Sequence, residues 1–270
     1  MYKAGFIGGG NMAEAIVKGV LKKKIYKPNE IIVTDISSQR LDCFSRDYGV
    51  DVSHDNCEAS SQCQILFLCT KPQSMRGVLN GIAGNISESA LIVSIAAGIR
   101  IDFIEEILGS FPVIRVMPNT PALCGAGAAG IYANKAAQKE AANLEAVFNS
   151  IGKAVVVETE DEIDIVTALS GSGPAYFFLM MEEMIASAQE LGLDYDSAKT
   201  LTLQTAFGAA MLALESDKEG VTPARLREQV TSPGGTTEAA LKVFQRDQFG
   251  AIVLMAMEIA RERSKELSGK

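Results

Sequence analysis

Short apolar runs alternate with amphipathic stretches through residues 1–160. Beyond that point the runs give way to long segments whose apolar positions recur at helical spacing. The opening Tyr2-Lys3-Ala4-Gly5-Phe6-Ile7 turns through Gly8-Gly9-Gly10 into a segment with Met12, Ile16 and Val20 four apart. That pattern predicts strand, tight turn, helix. Ile31–Val33, Ile65–Leu68, Leu91–Ile95 and Val113–Met117 are Val/Ile/Leu-rich strand candidates, with helices near 38–47, 72–83 and 102–109 between them. Strands that are apolar throughout, separated by helices, predict a parallel sheet covered on both faces. The fold class is therefore α/β: a Rossmann-type doubly wound sheet over residues 1–160, followed over 161–270 by an all-helical domain. Helices are expected near 172–192, 195–215, 223–231, 235–246 and 248–266. The boundary is set near Val157-Glu158-Thr159-Glu160-Asp161, where an apolar strand passes into an acidic helix start.

Gly8 and Gly10 occupy the first two glycine places of the dinucleotide pattern, one for the turn and one for backbone approach to a pyrophosphate. Ala13 takes the third place, where a small residue lets the helix pack on the strand. The phosphates then rest on a helix N-terminus, where unpaired N–H groups and the dipole favour negative charge. On such sheets ligands gather beyond the carboxyl ends of the strands, and these ends carry unusual sequences: Thr34-Asp35, Cys69-Thr70-Lys71-Pro72-Gln73, Ser94-Ile95-Ala96-Ala97-Gly98 and Arg115-Val116-Met117-Pro118-Asn119-Thr120-Pro121. Asp35 stands where an acid accepts from the adenosine ribose and favours NAD. Ser37, Ser38 and Arg40 follow at once and suit a 2′-phosphate, so NAD and NADP both stay open. A second anion site is expected at Thr231-Ser232-Pro233-Gly234-Gly235-Thr236-Thr237-Glu238, where hydroxyls and free backbone N–H groups open an apolar helix.

Net charge of −8 argues against nucleic acid and anionic membrane as partners, and Lys22-Lys23-Lys24 reads as the solvated last turn of the first helix. The longest weakly polar stretch, Ala168 to Met181, is too short to span a bilayer, and no signal peptide is expected because Asn11 and Glu14 interrupt the apolar start. Five cysteines without CxxC or metal spacing read as reduced, mostly buried thiols of a cytoplasmic chain, and no metal site is expected. His54 is the only histidine and lies in a polar surface stretch, which excludes a histidine triad or a multi-histidine metal site. Met-rich faces on the later helices divide between core and subunit interface, predicting a homodimer that could build a larger homo-oligomer.

Across its whole length the chain closely resembles pyrroline-5-carboxylate reductases. The likeness rests on Gly8-x-Gly10-x-Met12-x-x-Ala15, Lys71-Pro72-Gln73, Ser94-Ile95-Ala96-Ala97-Gly98, Arg115-x-Met117-Pro118-Asn119-Thr120-Pro121, Ala168-Leu169-Ser170-Gly171-Ser172-Gly173-Pro174-Ala175-Tyr176 and Ser232-Pro233-Gly234-Gly235-Thr236-Thr237. It implies hydride transfer from NADPH or NADH to the C=N carbon of a five-membered cyclic imino acid, giving L-proline. It also implies cofactor contacts at Ile7, Gly8, Gly9, Gly10, Asn11 and Met12 for the pyrophosphate and at Asp35 and Ser37 near the ribose. Asn56, Thr70, Lys71, Pro72, Ala96 and Ala97 line the rest. Substrate contacts fall on Asn119, Ser232, Gly234, Gly235, Thr236 and Thr237, in a crevice between the two domains. Thr237 is the catalytic candidate, orienting the ring nitrogen, because a threonine hydroxyl is too weak an acid to protonate an imine outright. The chain departs from the family at Lys218-Glu219-Gly220-Val221-Thr222-Pro223, where a Glu-His-Pro type sequence is usual, leaving Glu219 as the nearest carboxylate. The Ser-Gly-Ser-Gly-Pro block reads as close packing, with Ser170 and Ser172 capping helix N–H groups.

Two other classes share parts of this pattern. Hydroxy-acid dehydrogenases with a helical dimerisation domain rely on a lysine of that domain, and here Lys199 and Lys242 are the nearest candidates without lying beside the Gly-Gly motif. A regulatory relative that binds cofactor without turnover would not need the intact Thr236-Thr237 and Met117-Pro118-Asn119.

Overall fold

The computed structural model describes residues 1–268. Among them, β1 (Tyr2–Ile7), β2 (Ile31–Thr34), β3 (Asp51–Ser53), β4 (Cys63–Leu68), β5 (Leu91–Ser94), β6 (Val113–Pro118), β7 (Gly127–Ala133) and β8 (Gly152–Val156) form one sheet in the order β3-β2-β1-β4-β5-β6-β7-β8. Neighbours from β3 through β6 are parallel, each return being made by a helix. Between β6 and β7 the chain makes only one tight turn, Thr120–Cys124, too short for a crossover, and so β7 runs antiparallel to β6. β8 then lies parallel to β7. The sequence pattern missed β3, which is three residues long, and β7, whose Gly127-Ala128-Ala129-Gly130 start carries no β-branched signal.

Helices α1 (Asn11–Lys22), α2 (Ser38–Cys43), α3 (Asn56–Gln62), α4 (Pro72–Ile82), α5 (Ile101–Leu108) and α6 (Ala141–Asn149) cover the sheet. Alternation along the strands sends Phe6, Val33, Phe67 and Val116 to one face, against Ile16, Val20, Leu144 and Phe148 of α1 and α6. It sends Ile7, Ile32, Leu66 and Ile92 to the other, against Met75, Leu79 and Ile104 of α4 and α5. Phe6 and Phe67 stack across β1 and β4 with centroids 4.5 Å apart.

The remaining helices are α7 (Glu162–Val166), a π-helical turn Thr167–Gly171, α8 (Gly173–Glu190), α9 (Tyr195–Asp217), α10 (Pro223–Gln229), α11 (Thr236–Arg246) and α12 (Phe249–Leu267). The chain forms two compact units, Met1–Pro174 with the segment from Met257 onward, and Ala175–Ala256. In the first unit, the last turns of α12 are tied to α7: Ser264 Oγ donates to Asp164 Oδ1 at 2.7 Å. Arg115 of β6 pairs with the same Asp164 at 3.6 Å and with Glu160 at 3.3 Å, and Glu160 also meets Arg100 at 3.0 Å. Arg115 and Asp164 are buried, and this paired network is what allows charge inside the core.

In the second unit only Ala198 and Thr202 are buried, while Phe177, Phe178, Leu203, Phe207, Met211 and Leu212 are exposed. Helices that are apolar around so much of their surface do not stand free in water.

Three expectations are corrected. The apolar stretch from Ala168 to Met181 belongs to a continuous 29-residue helix, Glu162–Glu190, which by length and composition alone is sufficient to cross a bilayer. The π-helical turn bridges Ser170 and Gly171 without ending the helix, which is why Gly-Ser-Gly-Pro is no terminus here. Accordingly Ser170 does not cap a helix start: its hydroxyl donates back to the Val166 carbonyl at 3.1 Å, and Ser172 donates its N–H to the Thr167 carbonyl. Close packing is met at Gly171, where a Cβ would stand 2.7 Å from the flexible end of Met117, Cε, whereas a Cβ on Gly173 would meet no atom within 4 Å. The cysteines, finally, are free thiols of which Cys63 is buried, Cys43, Cys57 and Cys69 half-buried and Cys124 exposed, because four of them lie at helix or strand ends or in turns where the core stops.

Candidate functional site

The glycine turn is shaped by its neighbours. Gly8 has φ +100, and a Cβ there would meet the Cys69 carbonyl oxygen at 2.9 Å, so only glycine fits. Its N–H donates to the Thr34 carbonyl at 2.8 Å, fastening the turn to the end of β2. Gly10 is the N-cap of α1, makes no side-chain cap, and has no atom within 4 Å of the place a Cβ would take. The N–H groups of Asn11 and Met12 therefore open onto unfilled space at the positive end of α1. This fits an incoming pyrophosphate. Ala13 is fully buried, as the third position of the pattern requires.

Around this turn the carboxyl ends of adjacent parallel strands converge. Asp35, after β2, accepts from Gly9 N–H at 2.7 Å through Oδ2 and from Ser37 N–H at 2.8 Å through Oδ1. Ser37 caps α2, accepting weakly from Arg40 N–H at 3.4 Å. Ile36, between them, is 98% exposed. His54 places Nδ1 at 2.9 Å from the Asp35 carbonyl and Nε2 at 3.2 Å from Ser38 Oγ. The carbonyl can only accept, so Nδ1 carries the hydrogen. Asn56 opens α3 and accepts from Thr34 Oγ1 at 2.6 Å. After β4, Thr70 is half-buried, and exposed Lys71 and Pro72 start α4; after β5, Ala96 is buried and Ala97 half-buried. A cavity of about 570 Å³, lined by His54, Asn56, Cys57, Ser74, Gly77 and Val78, lies between the start of α3 and one face of α4. Ile36 and His54 were not singled out for this rim. An exposed apolar residue directly after Asp35 is the signal that could have found the first.

In the second unit, Gly234 has φ +72 and Gly235 is the N-cap of α11. The N–H of Gly234 donates to Glu238 Oε2 at 2.6 Å and that of Gly235 to the Ser232 carbonyl at 3.0 Å. The two glycine amides are thus already used. The open donors are the first-turn N–H groups of Thr236, Thr237 and Glu238. Thr237 is half-buried, Thr236 and Ser232 exposed. Contact with the Gly234 N–H, reinforced by Lys242 at 3.0 Å, holds the Glu238 carboxyl below the usual range, so it stays ionised. A glutamate at the third helical position reaching back to the helix start was legible from spacing and was overlooked. Glu219 is exposed in the turn between α9 and α10.

Asn119 is buried at the end of β6, its Nδ2 donating to the Ser170 carbonyl at 2.9 Å and its Oδ1 accepting from Ala128 N–H at 2.8 Å. Both ends of its amide hold the β6–β7 turn against the π-helical turn. Among the described residues no group of three or more His, Cys, Asp or Glu side chains could hold a metal ion.

A glycine turn after the first strand, an acid after the second and an open helix start define a dinucleotide-dependent oxidoreductase of the Rossmann class. Residues 160–267 match the family model for pyrroline-5-carboxylate reductase dimerisation, and residues 3–98 match the model described as NADP oxidoreductase, coenzyme F420-dependent. Pyrroline-5-carboxylate reductase of Pseudomonas aeruginosa is 45% identical over 267 residues, covering 97% of this chain and 96% of the relative. A pyrroline-5-carboxylate reductase structure from Coxiella burnetii superposes with TM-score 0.93 at 40% identity, covering 99% of this chain and 98% of that one. The Plasmodium falciparum enzyme, solved with NADP bound, gives TM-score 0.84 at 32% identity over 99% and 98%. The chain belongs to the pyrroline-5-carboxylate reductase family.

Proposed function

We propose that this chain catalyses the reaction for which its family is named, reducing L-1-pyrroline-5-carboxylate to L-proline, the last step of proline biosynthesis. The hydride donor is NAD(P)H, which when bound supplies the hydride to the C=N carbon. The observation that carries this assignment is that one chain holds two open helix starts placed behind glycine turns, α1 after Gly8–Gly10 and α11 after Gly234–Gly235. The first receives the pyrophosphate on the amides of Gly10, Asn11 and Met12, with Ile7, Gly8 and Gly9 shaping the turn. Asp35 and Ser37 face the ribose, and Asn56, Thr70, Lys71, Pro72, Ala96 and Ala97 line the remaining strand ends. The second receives the substrate carboxylate on the amides of Thr236 and Thr237, with the Ser232 hydroxyl adding a donor and Gly234 and Gly235 leaving room for approach.

Thr237 orients the ring nitrogen through its hydroxyl. Glu238, the acid beside it, stays ionised and has no proton to give, which suits an imine that arrives already protonated. Asn119 acts by positioning, because both ends of its amide are engaged. The modules are residues 1–160 for the dinucleotide and 161–270 for substrate and dimerisation. The exposed apolar helices of the second unit support a homodimer, able to assemble further, since a unit that buries only Ala198 and Thr202 needs a partner to cover it. The same need accounts for the apolar surface of the long helix Glu162–Glu190 without a bilayer. Five free thiols support a reducing, cytoplasmic setting.

Steady-state rates with NADH and NADPH, and with five- and six-membered cyclic imino acids, test the assignment. Oxidation of cofactor that depends on the five-membered imine and yields proline is expected. Oxidation with 2-oxo acids instead, or tight cofactor binding without any imine-dependent turnover, would overturn it.

A further inference from the structure

The assignment of NAD(P)H leaves the choice between the two nucleotides to the surroundings of the adenosine ribose, and those surroundings are fixed by contacts that sequence alone does not display. The Asp35 carboxylate is not a mobile surface acid. It is clamped by Gly9 N–H at 2.7 Å and Ser37 N–H at 2.8 Å, with one oxygen toward the glycine turn and the other toward the start of α2. Each oxygen keeps a lone pair, so the group is pre-oriented to accept from vicinal ribose hydroxyls. The next side chain is Ile36, 98% exposed, an apolar platform where a 2′-phosphate would need a cation.

The one guanidinium at the start of α2 is withdrawn. Arg40 donates through Nε to the Gly9 carbonyl at 2.6 Å and through Nη2 to Glu14 of α1, also at 2.6 Å, and its guanidinium lies over the Phe44 ring at 5.4 Å. Glu14 is further held by Tyr48 Oη at 2.9 Å. The hydrogen bond from Arg40, aided by Tyr48, keeps the Glu14 carboxyl below its ordinary range, so the pair stays ionised and closed at neutral pH. His54, the remaining basic group beside Asp35, has its Nδ1 committed to the Asp35 carbonyl and its Nε2 to Ser38.

We infer that Asp35, with Arg40 locked onto Glu14, makes this chain select NADH over NADPH. A 2′-phosphate brings nearly two negative charges against a fixed carboxylate, while the neighbouring Arg40 charge is already balanced by Glu14. An unmodified ribose brings two hydroxyl donors that the carboxylate accepts.

The inference rests on the dinucleotide reading of the glycine turn, and its test is independent of the reductase reading because it measures binding with no imine present. Isothermal titration of the full-length protein with NADH and NADPH is expected to show NADH tighter by about tenfold or more, the size of a charge-assisted hydrogen bond lost. Asp35→Ser is expected to shift the ratio toward NADPH by about 10- to 100-fold. Competition between AMP and adenosine 2′,5′-bisphosphate on the unaltered protein gives the same comparison without any variant, AMP binding tighter. NADPH binding as tightly as NADH to the unaltered protein, or an unchanged ratio in a folded Asp35→Ser protein, would overturn the inference. A protein that prefers NADH yet reduces no imine would overturn the proposed reaction and leave this inference standing.

Discussion

Gly98, with φ +71, faces the backbone of Leu267 so closely that a Cβ on it would stand 3.0 Å from the Leu267 carbonyl oxygen. The loop after β5, which carries Ala96 and Ala97, is thereby seated against the end of α12 by a contact only glycine permits. Gly98→Ala adds both a left-handed strain and a collision with backbone that has no rotamer to change. A loss of about 1–3 kcal/mol is expected, read as a lower midpoint in urea denaturation at fixed protein concentration.

The same end of α12 is held by Ser264 on Asp164. Removing Asp164 leaves Arg115 without one of its two carboxylates in the core, whereas removing Ser264 costs one hydrogen bond. Asp164→Ala is expected to destabilise by about 3–5 kcal/mol. Ser264→Ala should cost about 1 kcal/mol. Equal losses in the two variants, measured by denaturant titration, would contradict this division of roles.

At the glycine turn the test separates binding from folding. A side chain at Gly10 meets no atom within 4 Å, so Gly10→Val should fold with a near-native circular dichroism spectrum. It fills the approach to the α1 amides, however, and calorimetry should detect no binding of either reduced nicotinamide. A valine variant that binds cofactor normally would remove the pyrophosphate from this place.

Thr237 sits in the first turn of α11, half-buried and without a structural hydrogen bond from its hydroxyl among those described. Thr237→Ala is expected to lower kcat/KM at least about tenfold, the loss of one hydrogen bond to a charged group. The melting temperature should move little, because the substitution buries and unburies almost nothing. Thr237→Ser, which keeps the hydroxyl, should recover most of the activity.

The Glu14–Arg40 pair predicts a pH dependence with a definite sign. Its hydrogen bond from Arg40 lowers the Glu14 carboxyl in the folded chain, so the pair's stabilisation is present above the unfolded glutamate value near about 4.3 and is lost as pH falls through the lower folded value. In Glu14→Gln that increment is absent throughout. The two proteins should therefore differ in stability at neutral pH and converge on acidification, as seen in denaturation midpoints taken from pH 7 downward. A gap that widens toward acid would reverse the sign and sink the assignment.

Much of the site was legible because its signals are local. Gly8 needs a positive φ set by its own turn, Gly10 and Gly235 are helix caps, and the strand-to-helix rhythm of residues 1–160 is carried by neighbours in the chain. The sequence by itself thus determined where β1, β2, β4, β5 and β6 end, where the helix starts behind the two glycine turns fall, and which family the chain belongs to. Only the tertiary structure decided which polar atoms remain free. Asn119 proved to be engaged at both ends by Ser170 and Ala128, Arg40 to be taken by Glu14, and Asp164 to be met by Ser264 a hundred residues away. It also decided that β7 turns back against β6 and that the second helical unit leaves its apolar faces uncovered. The reason is physical. Conformational preference acts between adjacent residues, whereas a buried donor or charge is satisfied by whatever distant segment the packed sheet and helices bring to it.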